Sequence, residues 1–214
     1  MTATFARFDL MVWFPRRQTL LTLAFIAVAG VLLPVPGLAI VAAALVASLQ
    51  MSAPFLADEH GRMDTLYGVL PISRGAVVAG RALSLLAYYA AAAVLATAVT
   101  ITMASVRGDQ ITVELVLIAH ACAAGVVGIA MSLQLPILFR VGYSRGRLMV
   151  VYAPTIVMFG AAWLLQATGL HTPLLNALSD VPAALVIGAG LAVAVLGVLV
   201  AVGVSTRFYR TREL

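Results

Sequence analysis

The chain has 214 residues, of which 63% are hydrophobic and only 10% are charged. A soluble globular domain cannot hide that much apolar surface from water, so the composition excludes a soluble protein and indicates an integral membrane protein. The thirteen basic residues are all Arg. Without Lys the chain has no G-x-x-x-x-G-K-[ST] phosphate loop, which excludes a standard ATPase site of its own.

Long uncharged stretches predict six membrane-spanning helices. Each ionised group at the bilayer centre costs roughly 2.5 to 3.5 kcal/mol on insertion scales, so the spans should lie between the charges. A "PVPG" turn at 34–37 separates the first two. The predicted spans are residues 18–33, 38–57, 82–106, 115–139, 148–170 and 182–206.

The Arg residues are distributed asymmetrically about these spans. Twelve fall on one side, and only Arg107 falls on the other. By the positive-inside rule both termini are predicted to be cytoplasmic. The predicted fold is therefore all-α: one transmembrane domain over 1–214, with six transmembrane helices and short interfacial helices. The net charge of +5 then indicates a band of Arg near anionic lipid headgroups and no nucleic-acid partner.

Residues 1–17 form the first predicted cytoplasmic segment. Phe5, Phe8 and Val12 share one helical face and Pro15 ends the segment, a pattern that favours a helix lying in the membrane interface over an unstructured basic tail.

The last span carries a row of small residues. Gly190, Ala194, Gly197 and Ala201 are spaced by four, three and four residues, which allows the close approach of another helix. The abundance of Ala and Gly in this chain is the alternative explanation.

Three residues of the fourth span are candidates for chemistry within the membrane. Glu114 and His120 are about 240° apart around a helix and His120 and Cys122 about 200° apart, so His120 converges with neither, and no H-E-x-x-H or G-x-S-x-G motif is present. Glu114 and His120 could also mark a proton path, but two groups on different faces are a poor relay, and a helix-end Glu that reaches water is the favoured explanation of Glu114. Cys122 is expected to be a small apolar filler.

A charged segment interrupts the apolar sequence between the second and third spans. Met63, Leu66, Tyr67 and Leu70 recur at helical spacing and predict a short amphipathic helix. Pro71 stops this helix, and Ser73 is predicted to cap the N-terminus of the next one. Its apolar face could rest on lipid headgroups or dock to a partner, and periodicity does not distinguish the two.

This segment resembles that of a known family, the permease subunits of bacterial ATP-binding-cassette transporters of the type 2 exporter superfamily. In that family an acidic pair, a Gly, an Asp and an aromatic residue precede an "LPISR"-like turn. Met63 stands where an aromatic residue is common and Arg81 where Lys is frequent. The C-terminal stretch "STRFYRTREL", which includes the predicted cytoplasmic tail at 207–214, is also similar to the family at Ser205, Tyr209 and Glu213. The resemblance implies a coupling loop over 58–81 that contacts an ATPase through Asp58, Glu59, Gly61, Met63, Asp64, Leu66, Tyr67, Leu70, Pro71, Ser73 and Arg74.

The same resemblance implies the protein's partners. It predicts a multi-pass protein of the bacterial cell membrane that pairs with a second permease copy or a paralogue and with a cytoplasmic ATPase. That ATPase, and not this chain, would hold ATP and Mg²⁺, so no cofactor and no enzymatic activity are expected here. Two other classes stay open: a membrane scaffold or assembly factor without transport activity, and an intramembrane enzyme that would depend on Glu114, His120 or Cys122.

Overall fold

A computed structural model describes residues 2–32, 37–61, 72–144, 146, 160, 163–164, 166–169, 173 and 181–211. Within these ranges the regular secondary structure is helical, without strands. The helices with described bounds are α1 (Thr2–Trp13), α2 (Arg17–Leu32), α3 (Leu38–Gln50), α4 (Ala53–Gly61), α5 (Arg74–Arg107), α6 (Val113–Val141) and α7 (Ala183–Thr211).

The predicted N-terminal helix is confirmed as α1. It ends at Trp13, and Pro15 lies in the turn that leads to α2. With 16 residues, α2 is about 24 Å long and shorter than the hydrocarbon core of about 30 Å.

The second predicted span is divided between α3 and α4. Pro54, in the first turn of α4, has no N–H to donate to the preceding turn, and the hydrogen-bond ladder is interrupted at Met51 and Ser52. The chain nevertheless continues in the same apolar stretch, Leu38–Gly61, which is long enough to cross a membrane.

Helices α5 and α6 begin with capped N-termini. Ser73 is confirmed as the N-cap of α5, since its hydroxyl accepts from the Ala76 N–H at 3.2 Å. At α6 the Thr112 hydroxyl accepts from the Leu115 N–H at 3.2 Å. These bonds satisfy orphan donors of the first helical turn.

Four apolar stretches of the described chain are long enough to span a bilayer: Leu38–Gly61, Arg74–Arg107, Val113–Val141 and Ala183–Arg210. They correspond to four of the six predicted spans. The predicted span at 18–33 corresponds to the shorter α2, and the one at 148–170 lies mostly outside the described residues. A count of six spans therefore stays a prediction.

The row of small residues on α7 packs against α6. A Cβ atom added to Gly190 would lie 2.6 Å from the carbonyl oxygen of Ala121, and one added to Gly128 would lie 2.7 Å from the Cα of Ala194. The backbones of the two helices are therefore in direct contact, and the predicted close helix interface is confirmed.

Three helices are also joined by a polar network at one end of the molecule. Gln50 of α3 donates to the Thr22 hydroxyl at 2.9 Å, and Thr22 and the Tyr88 hydroxyl of α5 lie 2.8 Å apart. Gln50 thus serves as a helix-packing contact.

At the same end of the molecule α5 begins and α4, α6 and α7 end. We call it the Arg-rich end, because the described Arg residues other than Arg107 lie there: Arg7, Arg16, Arg17, Arg74, Arg81, Arg140, Arg207 and Arg210.

Candidate functional site

A buried ion cluster lies at the Arg-rich end. The Arg81 side chain is 1% exposed, and its Nη2 atom donates to Asp9 Oδ1 at 2.9 Å and to Asp58 Oδ2 at 2.8 Å. The Ser84 hydroxyl also donates to Asp9. The guanidinium stacks over the Phe55 ring, 4.8 Å from its centroid. We call Asp9, Asp58, Arg81 and Ser84 the Arg81 cluster; it ties α1, α4 and α5 together.

Helix α1 contributes a carboxylate from its buried face. Phe5, Asp9 and Trp13 follow one another at four-residue spacing and are all buried. The face of α1 that packs against α5 is therefore not the predicted apolar face alone, because Asp9 takes an inward position while Phe8 is 42% exposed. The ion pair with Arg81 of α5 offsets the cost of burying the Asp9 carboxylate. Hydropathy periodicity does not detect such a pair.

A glycine on α5 lets α1 approach this closely. A Cβ atom added to Gly80 would lie 2.6 Å from the Phe5 ring and 3.0 Å from the Thr2 carbonyl oxygen. Since Gly80 directly precedes Arg81, the absence of a side chain there brings Asp9 within reach of the guanidinium.

The electrostatics of the Arg81 cluster are unbalanced. A single guanidinium faces two carboxylates, so the cluster carries an excess negative charge when both are ionised. Burial raises the pKa of the Asp9 carboxyl above its ordinary 3.8, and the attraction of Arg81 and the hydrogen bond from Ser84 offset this only in part. Arg81 is thus the group that makes an ionised Asp9 tolerable.

The neighbouring carboxylate joins α4 to the chain after α6. Glu59 accepts from the Ser144 backbone N–H at 2.9 Å and from the Ser144 hydroxyl. Gly142 ends α6 with a φ of 79°, a left-handed conformation that glycine adopts without strain. The turn at Gly142 directs Ser144 toward Glu59.

At the start of α5, Arg74 binds the end of α7. Its Nη1 atom donates to the carbonyl oxygens of Tyr209 at 3.0 Å and Arg210 at 2.9 Å. A cation is favourable here because the last carbonyls of a helix carry partial negative charge.

A row of aromatic rings connects these contacts. Phe55 of α4 lies 5.0 Å from Phe139 of α6, which lies 5.3 Å from Tyr209 of α7. Arg81 covers one end of the row and Arg74 the other, 5.8 Å from the Tyr209 ring centroid. A cavity of about 100 Å³ lies among these rings, Asp58 and Glu59.

Comparison with known protein families matches residues 9–210 to the ABC-2 family transporter proteins. The chain belongs to the ABC-2 transporter family. It is thus a membrane protein of an ABC transporter permease family, whose members are the membrane components of transporters and not enzymes themselves. No curated protein and no solved structure matches the chain.

In this ABC-2 protein the predicted coupling residues fall into two groups. Asp58 and Glu59 bind Arg81 and Ser144, Gly61 is the exposed last residue of α4, and Ser73 and Arg74 begin α5. The structure therefore places these five residues at the two ends of the loop, on α4 and at the start of α5. The others lie outside the described residues: Met63, Asp64, Leu66, Tyr67, Leu70 and Pro71.

Sequence reasoning missed the centre of the site. Asp9 and Ser84 carried no motif, and Arg81 was interpreted as part of a band facing lipid headgroups, which its burial contradicts. A usable signal was the acidic residue between two aromatic residues at four-residue spacing in α1.

The residues considered for intramembrane chemistry in this ABC-2 protein do not meet. Glu114 is exposed, His120 pairs with Thr97 of α5 at 2.8 Å, and Cys122 is exposed rather than a buried filler. Among the described residues no group of three His, Cys, Asp or Glu side chains could hold a metal ion.

Proposed function

We propose that this ABC-2 chain is the permease subunit of an ATP-driven exporter in the bacterial cell membrane. In this proposal the loop 58–81 is the coupling element that receives force from a separate cytoplasmic ATPase. The observation that carries the proposal is the attachment of both ends of the loop. Asp58 and Glu59 begin the loop and Arg74 and Arg81 close it, and all four bind residues outside it or at its other end.

These attachments support transmission of motion. A displacement of the loop would act on α1 through the Arg81 cluster, on the end of α6 through Glu59 and Ser144, and on the end of α7 through Arg74. Because the buried ion pair and the aromatic row resist local deformation, the ends of these helices would tilt together instead of the loop yielding alone.

The distribution of Arg supports the orientation in this proposal. With six spans, the Arg-rich end faces the cytoplasm and meets the inner leaflet, where anionic lipids attract it. The ATPase would bind ATP and Mg²⁺, and a second copy of this chain or a paralogue would complete the permease.

A charge substitution on the docking face tests the proposal. Leu66→Asp combined with Tyr67→Asp removes the apolar face of the predicted amphipathic helix, so copurification of a cytoplasmic ATPase with a Walker motif should be lost. The control is Gln110→Asp with Ile111→Asp in the α5–α6 loop, at the end opposite to the Arg-rich end. Both variants should reach the membrane in wild-type amounts, and the control should retain the ATPase.

The same preparation separates the exporter from a scaffold. An exporter subunit should couple its partner to transport, so Arg74→Ala should lower substrate-stimulated ATP hydrolysis while the ATPase stays bound. A bound ATPase whose turnover is indifferent to Arg74→Ala, or undiminished association of the Leu66 and Tyr67 variant, would contradict the proposed role of the loop.

A further inference from the structure

Helix α1 has a second face, which turns away from the Arg81 cluster. Arg7, Phe8 and Met11 fall within about 100° of one another around the helix axis, roughly opposite to the buried face that holds Asp9. All three are exposed, Phe8 by 42% and Met11 by 59%. The outward face of α1 thus combines a cation with two large apolar side chains.

Two further arginines lie where α1 joins α2. Arg16 and Arg17 are exposed. Within the part of the chain that the structure describes, neither they nor Arg7 makes an ion pair or a side-chain hydrogen bond. The carboxylates described at this end are bound within the Arg81 cluster and by Ser144. Three cations at this surface are therefore available to an anionic partner.

Contacts with α5 show how α1 is placed along it. A Cβ atom added to Gly80 would lie 2.6 Å from the Phe5 ring, and the ring centroids of Trp13 and Tyr88 lie 5.4 Å apart. In both pairs the two partners are 75 residues apart in the sequence. Because this separation is constant over two turns, α1 runs alongside α5 in the same direction.

This register gives the depth of the cations. Arg7 lies about level with the first residue of 82–106, the uncharged stretch of α5. A Cβ atom added to Gly30 of α2 would lie 2.6 Å from Val99 of α5, and the same separation of 69 residues places Arg17 about level with residue 86. The two levels differ by about 6 Å, and a headgroup layer is about 5 to 7 Å thick. Both cations therefore lie at the edge of the hydrocarbon core.

The surface beyond these cations fits a phospholipid. Phe8 and Met11 follow Arg7 toward the bilayer, and α2 continues with the exposed apolar side chains of Leu20 and Leu21. A phospholipid has the same order of groups, with its phosphate at the boundary and its acyl chains beyond. Each Arg near a membrane surface favours an anionic lipid by about five-fold in binding, because a net negative headgroup lacks the compensating cation of a zwitterionic one.

We propose that the outward face of α1, together with Arg16 and Arg17, binds anionic phospholipid, and that this contact holds α1 in the Arg81 cluster. The attached helix keeps its cations at one depth, whereas a released α1 would have to order them again, so the lipid favours the attached state. Since Asp9 lies on the opposite face of the same helix, the anionic lipid content of the membrane regulates how firmly Asp9 is held against Arg81. The inference depends on the membrane location of the chain and not on the proposed export function.

Hydrogen exchange in nanodiscs tests the proposal in the intact chain. The protein is placed in nanodiscs of phosphatidylcholine and in matched nanodiscs that also contain phosphatidylglycerol. The backbone amides of α1 should exchange at least about five-fold more slowly in the anionic nanodiscs, which is the contribution of a single Arg. Salt should remove the difference, because at about 1 M the screening length falls to about 3 Å.

Paired variants distinguish this surface from the general charge of the Arg-rich end. Arg7→Gln with Arg17→Gln should abolish the difference between the two kinds of nanodisc. The matched control is Arg207→Gln with Arg210→Gln, which removes two exposed arginines of α7 and should leave the difference intact. An equal loss in both pairs would contradict a specific role of α1.

The apolar part of the surface is tested separately. Phe8→Gln with Met11→Gln should speed the exchange of α1 in both kinds of nanodisc while the dependence on lipid charge persists. Equal exchange of wild-type α1 in the two kinds of nanodisc would overturn the proposal. Faster exchange in the anionic nanodiscs would overturn it as well, because it would show that the lipid draws α1 away from α5.

Discussion

Replacement of Arg81 by Met is the most informative perturbation of the Arg81 cluster. Met preserves much of the side-chain volume but leaves Asp9 and Asp58 without their shared cation. Removal of one partner from a buried ion pair costs about 3 to 5 kcal/mol. Protonation limits the loss, because neutralising one carboxyl with an ordinary pKa of 3.8 costs about 4 kcal/mol at neutral pH. We therefore expect the free energy of unfolding to fall by about 3 to 5 kcal/mol.

Thermal unfolding in detergent measures this effect. The fluorescence of Trp13, which lies on the same buried face as Asp9, reports on the release of α1. For a chain of this size each kcal/mol shifts the midpoint by about 2 to 4 °C, so the expected decrease is about 6 to 20 °C. The loss should shrink at acidic pH, since protonated carboxyls no longer need the guanidinium. A second variant, Arg81→Met with Asp9→Asn, should recover part of the loss at neutral pH.

Two results would refute this reasoning. One is a midpoint lowered by less than about 2 °C, equivalent to under about 1 kcal/mol. The other is a loss that is independent of pH, because it would indicate that packing and not charge explains how Arg81 stabilises the folded protein.

Three further predictions follow from other contacts. The pKa of Asp9 is higher in the folded protein than its ordinary 3.8, so the folded state binds this proton more tightly than the unfolded chain does. The free energy of unfolding should therefore rise as the pH falls through the raised pKa toward 3.8, and it should level off below that pH. In a pH series of thermal midpoints, Asp9→Asn should flatten that rise. Gly190→Val should destabilise the protein by about 1 to 3 kcal/mol or more through its clash with α6, whereas Gly188→Val, where a Cβ would meet nothing within 4 Å, should change the midpoint little. Arg74→Ala should increase hydrogen exchange at the end of α7, and unchanged exchange there would show that the two carbonyl contacts do not hold that end.

The parts of the site that could be predicted from sequence depend on local rules. Ser73 as an N-cap follows from the spacing of a single helical turn, and the row beginning at Gly190 follows from helical periodicity. The acidic pair at Asp58 and Glu59 was identified through family resemblance, without its partners. Asp9 lies 72 residues before Arg81 in the chain, and no local pattern connects them.

Composition alone determined that this is a membrane protein. The transfer free energies of apolar side chains add up, so their sum can be obtained without knowing which residues are in contact. Charge spacing likewise located the apolar stretches of α5, α6 and α7, although α5 begins at Arg74, before the predicted start at residue 82, and α7 continues to Thr211, past the predicted end at residue 206. Only the tertiary structure decided that Arg81 faces Asp9 and Asp58 instead of lipid. The choice between a headgroup and a buried carboxylate depends on which helices approach at Gly80, and that approach is a property of the packed chain.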